Sequence, residues 1–516
     1  MRPSPMNHLD IYIVLAVVAA LFCCLGASQA EDDMADVVVL KHAQFAPVKL
    51  SPHGMQGFNV LASSDLERTP RDYLKVTAQV QATGRCRAQL ALLDFLNREH
   101  RGETVDIPAD QLANISIDIT KLDRPLAMLR AVRIYAEGEQ LDVLSLEFHC
   151  TGEQLPKPDV IAAGTDDKAI QAALDALGAD GGVVYIPAGE YIINNQVTIT
   201  GDNIIIYGDG RDTIIQGTWC KPKGLFKASK CSNLRITRLN FRSLPMTHFR
   251  GYNDKRWVKR PEDIGRPSVL SHGIELDGCT KTRVDHCELT LFGFCALVMW
   301  EGREICIDHC FFHENFRSGY GYGAVPYGTK ECYIEDNSFE NHRHGVAGGG
   351  NSMASYTCRF NRFVQDTSAV PETGWEQMVA QQIDVHPGCS WMYVHDNWVK
   401  IDNAMLWYGT YFGGNPGWIY RNTFVNCTNG IYIAGACDDV WTWDNQFTNC
   451  SHEQVSKATG TVHFDAKPAN FAEIPYPHEL NRLGWWPGSG DQALELTNPQ
   501  TQFAGPTERV LQCVTR

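Results

Sequence analysis

After residue 30 the chain has no apolar run long enough to cross a membrane. It has no repeated CxxC pair at zinc-site spacing. It also lacks a basic surplus. Its 45 Lys and Arg stand against 60 Asp and Glu, a net charge of −15, which argues against nucleic acid as a partner. What is present in quantity is glycine, 44 residues, as expected of many short strands joined by tight turns. A length of 516 residues exceeds one ordinary core and predicts two or three units.

The first 30 residues differ from the rest. Arg2 precedes an apolar stretch from Ile11 to Leu25, and Ala27-Ser28-Gln29-Ala30 places small residues for cleavage after Ala30. Residues 1–30 read as a secretory signal peptide, which predicts a secreted, extracytoplasmic protein with no stable membrane insertion after cleavage. An anchor lipidated at Cys23 or Cys24 is the competing reading. Of the 18 cysteines, sixteen remain beyond the leader. In an exported chain they suit disulfides. The spacing of 23 between Cys287 and Cys310 suits stacked buried thiols equally well. Cys86–Cys150 is a plausible bridge in the first unit.

Residues 31–155 carry strand-length runs between turn signals: Leu74–Val80, Gln89–Phe95, Ser116–Thr120, Val132–Tyr135 and Val143–Phe148. They predict a small β-sandwich, either carbohydrate-binding or purely structural. Gly152–Pro158, with two prolines, reads as a linker. Asp166–Leu177 has helical apolar spacing with Thr165 as N-cap.

From 159 to 450 the chain repeats. His286, His309, Asn337, Asn361, Asn397, Asn422 and Asn445 are spaced by 23, 28, 24, 36, 25 and 23 residues. Phe311, Phe339, Phe363, Phe424 and Phe447 follow two positions later; Glu288 and Val399 are the exceptions. A period near 24 suits a three-sided parallel β-helix, and asparagine at a repeated turn suits a side-chain ladder. Residues 451–516 lose the pattern and read as a C-terminal cap or tail, with Trp485-Trp486 over the last coil.

The segments TDDKAIQAALDAL and GGVVYIPAGEYII resemble the N-terminal cap and first coil of the pectate lyase superfamily. The resemblance implies an all-β fold: a right-handed parallel β-helix with a short cap helix, here preceded by the sandwich. It also implies a polysaccharide substrate. The helix would plug the open end of the solenoid. The polygalacturonase branch is disfavoured, because the only aspartate pair in the coils after the first is Asp438-Asp439 and neither a Gly-His-Gly nor an Arg-Ile-Lys segment occurs. The Asp-rich calcium strands and catalytic arginine of pectate lyases proper are not evident. The segment NHRHGVAGGG…YTCRFNRF…IDVHPG is similar to one in poorly characterised secreted β-helix proteins.

Stacking one strand per coil turns Ile274, Leu297, Val346, Ile383, Met405 and Ile431 inward. It turns Glu275, Val298, Ala347, Asp384, Leu406 and Tyr432 outward. Two positions on lie Asp277, Trp300, Gly349, His386 and Tyr408. At the turn leading into the strand stand His272, Cys295, His344 and Asn403, whose direction alternation leaves open. Asp384 and His386 share a face, and His342 and His344 precede them by one coil.

Three readings of this patch compete. In an acid/base site, the catalytic candidates are His342, His344, Asp384, His386, Arg317, Arg343 and Tyr408. In a metal site, the HxH and DxH pairs would hold a divalent ion. In the third, the patch is a polar ladder on the coil surface. Trp300 and Tyr322 are candidate sugar contacts. The basic, aromatic insertion around Arg256, Trp257, Lys259 and Arg260 is a candidate clamp for an anionic glycan. The favoured function is β-elimination of a uronate-containing polysaccharide by a monomer. A glycoside hydrolase on Asp384 and a second carboxylate, or a non-catalytic glycan-binding β-helix, are the alternatives.

Overall fold

The computed structural model describes residues 37–41, 48–50, 54–62, 73–94, 98–122, 129–150, 155–218, 223–243, 271–315, 320–349, 354–366, 381–386, 389, 392–402 and 408–471. Two antiparallel sheets of five and four strands occupy 37–150. Both contribute to one apolar core, including Val76, Leu90, Ile134 and Leu146. Each of the five runs carries a strand, although Ser116–Thr120 passes into a 3-10 turn at Ile119–Lys121 and Phe95 lies outside the described residues. Four further strands, Val37–Lys41, Val48–Lys49, Gln56–Ala62 and Glu99–Ile107, escape that reading; the last, EHRGETVDI, is mostly solvent-facing and has too few apolar residues to show a period. Cys86 is a buried free thiol, so the bridge to Cys150 is not formed.

The cap helix α1 spans Asp167–Asp175. Its N-cap is Asp166 rather than Thr165: the Asp166 carboxylate accepts from the Ala169 N–H at 2.9 Å. Ile170, Ala173 and Leu174 of α1 are buried in the solenoid core, where they cover the first coil.

Three parallel sheets of twelve, ten and ten strands form a right-handed β-solenoid of about ten turns. One ten-stranded sheet carries the site. Its strands are β1 (Val197–Ile199), β2 (Gly224–Ser229), β3 (His272–Asp277), β4 (Cys295–Trp300), β5 (Tyr322–Tyr327), β6 (His344–Gly348), β7 (Ile383–Val385), β8 (Tyr408–Phe412), β9 (Asn429–Gly435) and β10 (His452–Ala458). The ladder therefore runs past Cys450, where the repeat fades in sequence. No helix among the described residues is long and apolar enough to cross a membrane.

The repeat is real, but its first two anchors are displaced by one residue. The Asn337 side chain accepts from the Cys310 N–H at 2.9 Å, so Cys310, not His309, aligns with Asn337. From there Asn337, Asn361, Asn397, Asn422 and Asn445 form one chain of side-chain hydrogen bonds, each 2.9–3.1 Å. The aromatic stack likewise uses Phe312 rather than Phe311: Phe312–Phe339 and Phe339–Phe363 both lie at 4.8 Å. His309 and His286 adopt left-handed backbone one residue before the ladder (φ +53 and +51) and bond instead to Asp308 and Asp285.

Candidate active site

β6 and β7 are hydrogen-bonded neighbours, with Val346 opposite Ile383 and Ala347 opposite Asp384. Val346 and Ile383 are in the core. Alternation then turns Asp384 outward, as expected. At the start of β6 alternation breaks. A Cβ on Gly345 would run into Phe363 at 2.6 Å, so Gly345 and Val346 both face inward, and His344 is released to the outer side.

His344 and Asp384 meet there. His344 Nδ1 lies 2.7 Å from the Gln381 carbonyl oxygen. A carbonyl only accepts, so Nδ1 carries the proton and donates it. His344 Nε2 then faces Asp384 Oδ2 at 3.5 Å. Burial drives the His344 pKa down to about 4, so at neutral pH a lone pair confronts a carboxylate. On the other side His386 Nε2 lies 3.0 Å from the same Oδ2. That approach is off the hydrogen-bond line, and neither Asp384 oxygen has an aligned donor among the described residues. Asp384 is 1% exposed while His386 is 49% exposed. The result is a buried carboxylate behind an accessible imidazole.

The charges follow from this geometry. Burial opposes ionisation of Asp384, but His344 and His386 outweigh it and hold the carboxyl below its ordinary range. Contact with Asp384 raises the His386 pKa against the opposing effect of its own partial burial. Arg343 bears on both imidazoles. Its guanidinium donates to the Tyr322 hydroxyl at 3.0 Å. Burial pushes the Tyr322 phenol up to about 12, so it keeps its proton. The Tyr322 and His344 rings lie 5.0 Å apart, one coil from each other in register.

His342 does not join this group. It follows left-handed Asn341 (φ +57) and occupies an interior turn position, opposite Asn315. It is fully buried. Its backbone N–H donates to the Gln365 side chain at 3.0 Å, and its Nε2 lies 3.1 Å from the Phe312 carbonyl. Burial lowers its pKa to about 3. The HxH pair therefore splits, one imidazole inward and one outward, and the three-imidazole metal set is not assembled. No group of three or more His, Cys, Asp and Glu among the described residues is arranged to hold a metal ion.

Tyr408 is also displaced from its expected place. Asp384 pairs with Tyr411, not Leu406, so Tyr408 falls in the file of His344 rather than opposite His386. Tyr411, missed by the sequence reading, continues the Asp384 file, followed by Tyr432. Tyr408, Tyr411 and Tyr432 are half-buried and form a ring cluster, with Tyr408 stacked on Tyr432 at 4.5 Å. The alternating TYF motif at 410–412 carried the signal, but the apolar run at 404–407 competed for the strand position. Trp300 is half-buried against Tyr327 at 4.8 Å, three coils from Asp384. Between them Cys295, Val298, Val325 and Ala347 make an apolar floor. Arg317, Arg256, Trp257, Lys259 and Arg260 lie outside the described residues.

The match to a family model agrees with the architecture. Residues 157–390 match the family model "Rhamnogalacturonase A/epimerase, pectate lyase-like". No curated protein matches the chain. Among solved structures, the chain is similar to ORF18 of Geobacillus virus E2 at 15% identity and TM-score 0.39, covering 59% of this chain and 62% of that one. This chain thus spans less than two thirds of that protein. It is similar to an alginate lyase from Paenibacillus sp. str. FPU-7 at 11% identity and TM-score 0.38, covering 59% and 99%. It is similar to an endo-xylogalacturonan hydrolase from Aspergillus tubingensis at 10% identity and TM-score 0.34, covering 60% and 94%. The ten-turn solenoid with its cap helix has the pectate-lyase-like parallel β-helix fold that this family match describes.

Proposed function

We propose that the protein is a secreted polysaccharide-degrading enzyme that cleaves an acidic, uronate-containing glycan by β-elimination. The observation that carries this reading is the accessible His386 imidazole held 3.0 Å from buried Asp384, beside the Arg343–Tyr322 pair. Secretion rests on the leader-like residues 1–30.

Elimination needs a base for the proton next to the uronate carboxyl, a cation for the charge that develops there, and an acid for the departing oxygen. His386 is the base: Asp384 strengthens it, and solvent exposure gives a sugar access to it. Arg343 meets the uronate carboxylate. Tyr322 retains its phenolic proton and donates it to the glycosidic oxygen as the C–O bond breaks. The proton leaves the carbon to His386, and its electron pair becomes the new C=C bond. The Tyr408–Tyr411–Tyr432 cluster offers apolar ring surface along the same sheet.

Hydrolysis is the second reading, because the matched family model names a rhamnogalacturonase. It requires a second carboxylate about 5–9.5 Å away. After burial itself, the groups that act most on Asp384 among the described residues are His344, His386 and Gln381. The test is incubation with a panel of uronate glycans while ultraviolet absorbance and reducing ends are followed. Absorbing unsaturated products support elimination. New reducing ends without absorbance establish hydrolysis, and binding without cleavage establishes a non-catalytic β-helix.

A further inference from the structure

Three pairs of cysteines stack one coil apart, and one of them differs from the other two. Cys231 with Cys279, and Cys287 with Cys310, are buried on both sides. Cys427 is also buried, but Cys450, alone among the cysteines whose burial is described, is partly exposed. Both members of this pair follow a left-handed asparagine, Asn426 (φ +59) and Asn449 (φ +53). They occupy the same interior turn position as Asn315 and His342 in earlier coils.

The backbone fixes their separation. Val425 pairs with Thr448 and Asn429 with His452 on either side, and the Ser451 N–H donates to the Cys427 carbonyl at 3.1 Å. Successive coils lie ~4.8 Å apart, inside the ~4.4–6.8 Å range of Cα separations that a disulfide spans. Each thiol donates to a backbone carbonyl in its own turn, Cys427 to Val425 at 3.6 Å and Cys450 to Thr448 at 3.7 Å.

We propose that Cys427 and Cys450 form a thiol–disulfide site that cross-links two successive coils near the C-terminal end of the solenoid. Its co-reactant is a small-molecule disulfide such as glutathione disulfide. Cys450 is the attacking group, since it is the accessible one; the neighbouring Cys427 thiol also lowers its pKa to about 7. The Cys450 thiolate attacks one glutathione sulfur, the glutathione S–S bond breaks, and a glutathione thiolate leaves with the proton Cys450 released. Cys427 then attacks the Cys450 sulfur. The mixed S–S bond breaks, the 427–450 bond forms, and the second glutathione leaves with the Cys427 proton. The protein pair loses two electrons and the glutathione disulfide gains them. The two fully buried stacks have no access for the first step.

The test treats full-length protein with glutathione disulfide under native conditions and maps peptides without reduction. The expected result is a 427–450 cross-linked peptide, with the other two stacks still reduced. Iodoacetamide at neutral pH is expected to label Cys450 on the order of 10-fold faster than any other described cysteine. In Cys427→Ser, glutathione is expected to remain attached to Cys450, because the resolving thiol is gone. If that variant fails to fold, the wild-type map decides alone. A wild-type map showing Cys450 unreacted, stably glutathionylated or joined to another cysteine such as Cys513 overturns the proposal.

Discussion

His344 Nε2 and Asp384 Oδ2 face each other at 3.5 Å, while the other nitrogen of the imidazole donates to the Gln381 carbonyl. The backbone thus dictates the tautomer, and the tautomer turns an acceptor toward a carboxylate. Two acceptors in a buried setting repel unless a donor comes between them.

Asp384 sets the basicity of His386. Asp384→Asn keeps the shape and removes the charge. The account predicts a loss of activity of about 10²–10⁴-fold. It also predicts that the acidic limb of the pH–rate profile moves to lower pH. The sign follows from the raised His386 pKa: the active base form appears only as pH rises through it, and removing Asp384 lets it appear earlier. A profile that keeps its acidic limb in place contradicts the assignment.

Arg343 and Tyr322 are expected to separate in kinetics. Arg343→Lys retains charge but loses the planar fork, so KM for a uronate glycan should rise about 10-fold or more, since each ~1.4 kcal/mol lost is a tenfold change. Tyr322→Phe removes the proton donor, so kcat should fall while KM stays close to wild type. Steady-state kinetics on both variants checks this, and equal effects on both constants would remove Tyr322 from the acid role.

His342 belongs to the interior, not the site. His342→Ala leaves a buried vacancy and strands the Phe312 carbonyl that the imidazole meets, costing about 2–4 kcal/mol. His342→Asn places there the residue that Asn315 supplies one coil earlier, and should recover part of that stability with near wild-type activity. Urea denaturation midpoints and specific activities of the two variants provide the check.

Acid stability has its own marker. Burial alone would raise the Asp396 pKa, but hydrogen bonds from His395 and Arg421 outweigh it and hold the carboxyl at about 2. Its contribution is present above the unfolded value near 4 and is lost as pH falls toward 2. Arg421→Met should therefore reduce stability at pH 7 more than at pH 2. Thermal unfolding at the two pH values checks that difference.

Much of the fold was legible because a solenoid repeats its physics. The cap helix, the period near 24 and the asparagine ladder all stand in the structure. The slip of one residue at His309 arose because the left-handed residue and the ladder residue are adjacent, and polar side chains occupy both. The site was legible where alternation holds, at Asp384 and His386, and illegible where turns override it. His342 and His344 differ by two positions yet point to opposite sides, because the chain bends at Arg343, between the strands Ser338–His342 and His344–Gly348. Tyr411 was hidden by an apolar run five residues earlier that fits the same pattern.

The central claim is that His386 is the base, and one measurement reaches it directly. Initial rates of ultraviolet-absorbing product are compared for wild type, His386→Ala and His386→Ala supplemented with imidazole, on a uronate glycan that the wild type cleaves. The account predicts a fall of about 10²-fold or more in the variant and partial recovery with added imidazole. Wild-type rates in His386→Ala, without imidazole, would contradict it.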